Sequence, residues 1–205
     1  MIYTPQAALT LLHTRATIGP KRLVEPAPAP DVLQAILETA TAAPDHGRLR
    51  PWRLVLVEPT QRARLAQAFD DALCERDPAS TPAQREAARE KAFRAPVLLV
   101  AVACLGTGEA AWVAAGEGGV GTPVHDSERL VALGCALQNI MLAAHAYGFG
   151  SGLTSGQAMQ SQAMRSLLGL AANEHAVCCV NIGTVARHKP GAPRAPLGDA
   201  LVRLS

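Results

Sequence analysis

The stretch Ala43-Pro44-Asp45-His46-Gly47-Arg48-Leu49-Arg50-Pro51-Trp52-Arg53 gathers side chains able to bind a ligand. His46 brings an imidazole that donates, accepts or carries charge, and Arg48, Arg50 and Arg53 bring planar cations suited to phosphate or carboxylate. Pro44 and Pro51 fix φ and bias Ala43 and Arg50 toward extended backbone, while Gly47 can take angles closed to other residues. The turn is therefore expected to be preorganised. A solvated basic loop with a capping Asp would hold the same residues, and local chemistry leaves both readings open.

Three further polar clusters stand apart in the chain: Arg15-Ala16-Thr17, Thr154-Ser155 and Gly183-Thr184-Val185-Ala186-Arg187. Cations, hydroxyls and backbone N–H groups of these kinds could together hold a phosphate-bearing cofactor. The run Gly148-x-Gly150-x-Gly152 imitates a dinucleotide fingerprint, but it follows a helical pattern and its glycine spacing is wrong. No H-E-x-x-H, Walker loop, nucleophile elbow or paired Cys/His zinc spacing occurs, which leaves metal hydrolysis, phosphoryl transfer and serine hydrolysis without support. His13, His125, His145, His175 and His188 are scattered and read as structural or exposed, so no metal site is expected.

The elements that must position these clusters follow from periodicity and capping. Thr4 and Pro5 open a first helix with Ala8, Leu11 and Leu12 on one face, and Val32, Leu33, Ile36, Leu37 and Ala40 form a second. A strand is expected near Trp52 to Glu58 and a helix from Thr60 to about Glu75. A capping box at Thr81-Pro82-Ala83-Gln84 opens a fourth helix, with Arg85, Glu86, Arg89, Glu90 and Lys91 as its solvated face. The continuously apolar run Pro96 to Cys104 reads as a central strand covered on both sides. Gly106 to Pro123, with Trp112, reads as a mobile insertion or lid. Ser127 is expected to cap a long helix through Ala144. The glycine turn at 148–152, a short segment Leu153 to Ser155, a helix around Gln160 to Leu168, a strand Ala176 to Ile182 and a Pro-rich tail complete the chain. With no repeat or internal linker, residues 1–205 read as one α+β domain.

Composition narrows the function. A net charge of +2 from 19 basic and 17 acidic residues, with 3% aromatic content, does not make the basic, aromatic surface of a nucleic-acid binder. Five cysteines without a C-x-x-C pair, mostly in apolar runs, favour reduced thiols and a cytoplasmic location. No export signal is visible at the N-terminus. Gln138, Asn139 and His145 would be costly toward lipid, so the apolar stretch Leu130 to Gly150 reads as a buried helix of a soluble protein and no membrane partner is expected.

The series Leu12-His13-Thr14-Arg15-Ala16-Thr17, Leu23-Val24-Glu25-Pro26-Ala27-Pro28, Ala42-Ala43-Pro44-Asp45-His46-Gly47-x-x-x-Pro51-Trp52-Arg53, Ala95-Pro96 and Gly148-Phe149-Gly150 resembles the nitroreductase family, and within it the small YdjA-like subgroup. The resemblance runs from about Leu9 to Thr184. It implies a three-layer α/β/α fold with a central, mostly antiparallel sheet, in a homodimer whose C-terminal tail extends to the partner. It also implies FMN at the subunit interface and NADH or NADPH as electron donor. Carried over residue by residue, the cofactor contacts are Arg15, Ala16 and Thr17 from one subunit and Ala42, His46, Leu153, Thr154 and Ser155 from the other, with Arg187 as a phosphate cation. Ala143 to Gly148 matches a stretch sometimes assigned to the nicotinamide nucleotide and also reads as a buried helix end. Relatives commonly carry an Arg where Ala16 stands, an Arg at Ala42 and a Trp-Arg pair where Leu153-Thr154 stand, which turns attention to Lys21, Arg22, Arg48 and Arg50 as substitutes. The implied activity is ping-pong hydride transfer from NAD(P)H through flavin N5 to a nitroaromatic or quinone-like acceptor, no protein side chain being catalytic because the flavin carries the chemistry. A non-catalytic FMN carrier or regulatory protein, and a flavin-consuming relative, are the alternatives.

Overall fold

In the computed structural model, residues 4–106, 124–187 and 194–204 are described. The lid expected over Gly106 to Pro123, Trp112 included, falls outside them apart from Gly106 itself.

Every residue of the strand Val97–Cys104 (β3) is buried, and its alternation feeds two cores. Val97, Leu99, Ala101 and Ala103 face one, while Leu98, Val100 and Val102 face the other. Such two-sided burial is why the run is apolar without interruption. β3 pairs antiparallel with Trp52–Leu56 (β2) on one side and with Glu174–Val185 (β5) on the other. β5 also pairs antiparallel with Leu23–Val24 (β1) and with Gly150–Thr154 (β4). The register of β3 against β5 shifts between Ala101 and Val102, which leaves Val177 as the extra residue of a bulge.

Helices cover both faces of this sheet. On one, Pro30–Glu38 (α2) and Asp126–Ala146 (α5) contribute Ile36, Leu133, Ala136, Leu137, Ile140 and Ala144. On the other, Arg62–Arg76 (α3), Pro82–Arg89 (α4) and Gln162–Leu168 (α6) contribute Leu65, Ala66, Phe69, Ala88 and Met164. The result is the expected three-layer α+β arrangement. Among the described residues α5 alone has the length and hydropathy of a membrane span, yet its inner face packs into the core beside the sheet.

Pro5–Thr14 (α1) opens as expected, with Thr4 Oγ1 accepting from the Ala7 N–H. The capping box of α4 is present in both directions. Other boundaries differ from expectation. α5 is entered from His125 rather than Ser127, without a side-chain cap. β1 has only two residues, too few to leave a pattern. Gly150 and Gly152 belong to a strand, because neighbouring chain approaches too closely for any side chain. A Cβ on Gly152 would lie 2.3 Å from the Ile18 carbonyl oxygen, and one on Gly150 2.5 Å from Val185 Cγ2.

The face of α4 assigned to solvent is the largest revision. Arg85 and Arg89 reach back to Asp70 of α3, whose carboxylate is fully buried. Arg85 Nε donates to Oδ1 at 2.7 Å and Arg89 Nε to Oδ2 at 2.8 Å. The two guanidinium groups, Arg85 first, outweigh burial and hold the Asp70 carboxyl well below the usual carboxylate range. A buried acid on α3 thus draws two partly exposed cations onto the helix pair.

Candidate functional site

The segment after α1 runs parallel to β4. Thr17 bridges Ser151, and the Ile18 N–H donates to the Ser151 carbonyl at 2.8 Å. Arg15 and Ala16 therefore lie at the Gly148-Phe149 end of β4, and Pro20 lies at its Thr154-Ser155 end. Thr14 Oγ1 contacts His145 Nε2 at 2.8 Å and ties the ends of α1 and α5 together there.

At the first end, Arg15, Ala16, Ile18, His145, Phe149 and Ser151 help line a cleft of about 230 Å³. The Nη1 of Arg15 is buried and has no hydrogen-bond partner among the described residues, and the same holds for Arg22 Nη1. A buried guanidinium nitrogen without an acceptor calls for an anionic oxygen. Arg187 stands two residues beyond Val185, which lines the same cleft, and is exposed. The Arg22 carbonyl accepts from Ala186 N–H at 3.0 Å, so the chain around Arg22 reaches the same region. Of the tail, Arg194 Nη2 donates to the Arg15 carbonyl at 3.0 Å and contacts those of Leu12 and His13.

At the other end, Thr154 and Ser155 open on the α3 face of the sheet, in a cleft of about 310 Å³. Buried Asn181 orients Thr154, its Nδ2 donating to Oγ1 at 3.1 Å. Leu153 is exposed beside them. Burial pushes the thiol of Cys179, which lines this cleft, up to about 12, and that of Cys178, on the opposite face of β5, up to about 11.

Ala42 and His46 stand elsewhere. Ala42 ends the 3₁₀ turn Thr39–Ala42 beside α5, and exposed His46 places Nδ1 2.6 Å from Glu128 Oε2 on α5. Ala43 is extended, as Pro44 requires. Arg50 is not: its φ is +46°, and Arg48 is also left-handed at +54°. The Asp45 side chain overrides the bias from Pro51 by accepting the Arg50 N–H. Both arginines line a cleft of about 440 Å³ with Trp52, Arg53 and Glu174, where Arg53 is already neutralised by a two-pronged pair with Glu174.

Within one chain, then, Arg15, Ala16 and Thr17 share a seam with Leu153, Thr154 and Ser155, Arg187 approaches its Arg15 end, and Ala42 and His46 lie apart. The fold finds a match among known proteins: the profile of the Nitroreductase family covers residues 20–184. The chain belongs to the nitroreductase family. A relative from Haemophilus influenzae is 32% identical over 177 residues, covering 86% of this chain and 88% of its own. Another from Escherichia coli K12, whose name includes YdjA, is 30% identical over 86% and 87%. Both are called "Putative NAD(P)H nitroreductase". Among solved nitroreductases, the FMN-dependent NfnB of Mycobacterium smegmatis in complex with NADPH superposes with a TM-score of 0.69 at 18% identity over 98% of each chain.

The cations Arg76, Lys91 and Arg94, which share the second cleft with Thr154, escaped sequence reasoning. Lys91 looked like part of a solvated helix face, and no local pattern brings residues 76, 91 and 155 together.

Proposed function

We propose that this nitroreductase is an FMN-dependent NAD(P)H oxidoreductase that reduces nitroaromatic or quinone-like acceptors. The observation that carries the reading is the buried, unpartnered Nη1 of Arg15 at the head of a glycine-lined seam leading to Thr154 and Ser155. The donor set matches a flavin mononucleotide in kind, with cations at the Gly148 end of β4 and hydroxyls at its Thr154 end.

In this reading Arg15, supported by Arg22, Arg187 and Thr17, binds the phosphate. Arg22 takes the place of the cation that relatives carry at Ala16. Ala16 and Leu153 contribute backbone and apolar contact. Asn181 fixes Thr154, so that its hydroxyl would meet a flavin ring without reorganisation, with the Ser155 hydroxyl as a further donor. Bound flavin supplies two-electron chemistry, taking hydride from NADH or NADPH and giving it to the acceptor. Donor and acceptor would use the same site in turn, which makes the proposed order ping-pong.

The working unit in this proposal is a homodimer, with Ala42 and His46 serving the partner's cofactor. Helix α1 buries no residue despite Ala8, Leu9 and Leu12, and Leu130 and Val131 of α5 are exposed. A ten-residue helix needs such packing to persist. Leu197, Leu201, Val202 and Leu204 of the tail are also exposed, as a segment reaching toward a partner would be. We place the protein in the cytoplasm as one FMN-binding domain; all five cysteines are free.

Titration of the flavin-free protein with FMN, followed by quenching of flavin fluorescence, tests the assignment. Saturable binding is expected, and Arg15→Ala is expected to weaken it by roughly 1.5–3 kcal/mol. Equal affinity in wild type and variant would remove Arg15 from the site.

A further inference from the structure

The cleft on the α3 face holds more positive charge than the flavin assignment uses. Arg76 is the last residue of α3, Lys91 lies in the 3₁₀ turn Glu90–Phe93, and Arg94 follows that turn. Together with Thr154, Ser155 and Gln157 they line the cleft, and no carboxylate does. Arg94 Nε is buried without a partner, and its Nη2 finds only the Ala87 carbonyl at 3.4 Å and Glu90 Oε2 at 4.0 Å. Among the described residues neither Arg76 nor Lys91 forms an ion pair. Burial, then Arg94 and Arg76, push the Lys91 ammonium below its ordinary value. The contrast with the preceding helix is direct, since Arg85 and Arg89 there are neutralised by Asp70.

The cluster is also held in place. Arg62, itself buried, donates from Nη1 to the Ala92 carbonyl and from Nη2 to the Pro96 carbonyl, both at 2.8 Å, so the turn bearing Lys91 and Arg94 is pinned to α3. At the opposite wall a Cβ on Gly156 would meet nothing within 4 Å, which leaves its backbone open to a ligand. Like charges fixed around an open cleft repel one another unless an anion joins them.

We propose that this cleft binds a phosphoryl group, with Arg94 and Lys91 as the principal contacts, Arg76 at the mouth, and Thr154 and Ser155 as neutral donors. Three cations and two hydroxyls match the several oxygens of a phosphate dianion better than the two of a carboxylate. The site differs from the Arg15 cleft, lying at the other end of β4 and on the other face of the sheet, and it shares Thr154 and Ser155 with the proposed flavin site. The phosphoryl group has two candidate sources, the pyridine dinucleotide or, if the flavin phosphate lies here in place of the Arg15 end, the flavin mononucleotide. That choice rests on the proposed function, whereas phosphoryl binding does not.

The test is calorimetric titration of the purified protein with pyrophosphate. Saturable binding is expected, weakened about tenfold or more in Lys91→Gln and Arg94→Gln. Arg94→Lys, which keeps the charge, is expected to recover part of the affinity, and Arg64→Gln, an exposed change elsewhere on α3, to leave it unaltered. Absence of saturable binding, or equal affinity in Lys91→Gln and Arg94→Gln, overturns the site. A raised KM for NAD(P)H with unchanged FMN affinity in those variants identifies the dinucleotide, and a parallel loss of FMN affinity identifies the flavin phosphate. Pyrophosphate binding that depends on Lys91 and Arg94 in a protein that takes neither cofactor would uphold the site and refute the function.

Discussion

Asp45 Oδ2 accepts the backbone N–H of Arg50 at 2.6 Å, closing a turn in which Gly47, Arg48 and Arg50 have φ of +69°, +54° and +46°. For arginine this region costs roughly 1–2 kcal/mol per residue, and one side-chain hydrogen bond helps to sustain two such residues. Arg48→Gly is expected to stabilise the fold by up to about 1 kcal/mol, since relief of the strain exceeds the extra freedom of the unfolded chain. Asp45→Ala is expected to act in the opposite direction. Urea denaturation of both variants provides the check.

Asp70 links stability to pH. Its folded carboxyl titrates below its ordinary value of 3.8, so the contribution is complete above the unfolded value and is lost as pH falls through the folded one. Urea midpoints are expected to be level above about pH 5 and to drop below about pH 4. Asp70→Asn is expected to cost about 1–3 kcal/mol at neutral pH, the lower half being favoured because Arg85 and Arg89 can turn to solvent. It should also make the acid limb shallower. Glu174, lowered chiefly by Arg53, keeps part of that limb.

Gly152 tests the seam between Ile18 and β4. A methyl group there meets backbone oxygen rather than a movable side chain, so Gly152→Ala is expected to cost about 2–3 kcal/mol and to loosen Arg15 from β4. Thermal unfolding with and without FMN reads both effects. An unperturbed melting temperature would show that the two segments separate freely.

The exposed face of α5 tests the dimer. Val131→Glu is expected to weaken self-association by about tenfold or more while leaving the helical signal intact, because the side chain is solvent-accessible within one chain. Sedimentation velocity across a concentration series distinguishes the species. A wild-type protein that sediments as a monomer at all concentrations would contradict the assembly.

Elements with a local cause were legible in the sequence. Thr4, the Thr81-Gln84 box and the run from Val97 to Cys104 announce their caps and their burial within a few residues. The turn around His46 was legible as a place but not as a geometry, because Asp45 decides the conformation of Arg50 against the bias from Pro51. The glycines of 148–152 carried a misleading local signal: Gly152 answers to Ile18, more than a hundred residues earlier in the chain, and Gly150 to Val185. Long-range charge was the least legible. Nothing near Asp70 announces Arg85 and Arg89 as its partners, and nothing near Lys91 distinguishes a residue facing Arg76 and Arg94 from one facing water.

The central claim is that the protein holds FMN and cycles it with a nicotinamide donor. The most direct measurement is the visible absorption spectrum of the purified, FMN-loaded protein before and after anaerobic addition of NADH or NADPH. A bound-flavin spectrum that bleaches much faster than free FMN, and recovers when a quinone or nitroaromatic is added, is expected. A protein that retains no flavin, or one whose bound flavin bleaches no faster than free FMN, would contradict it.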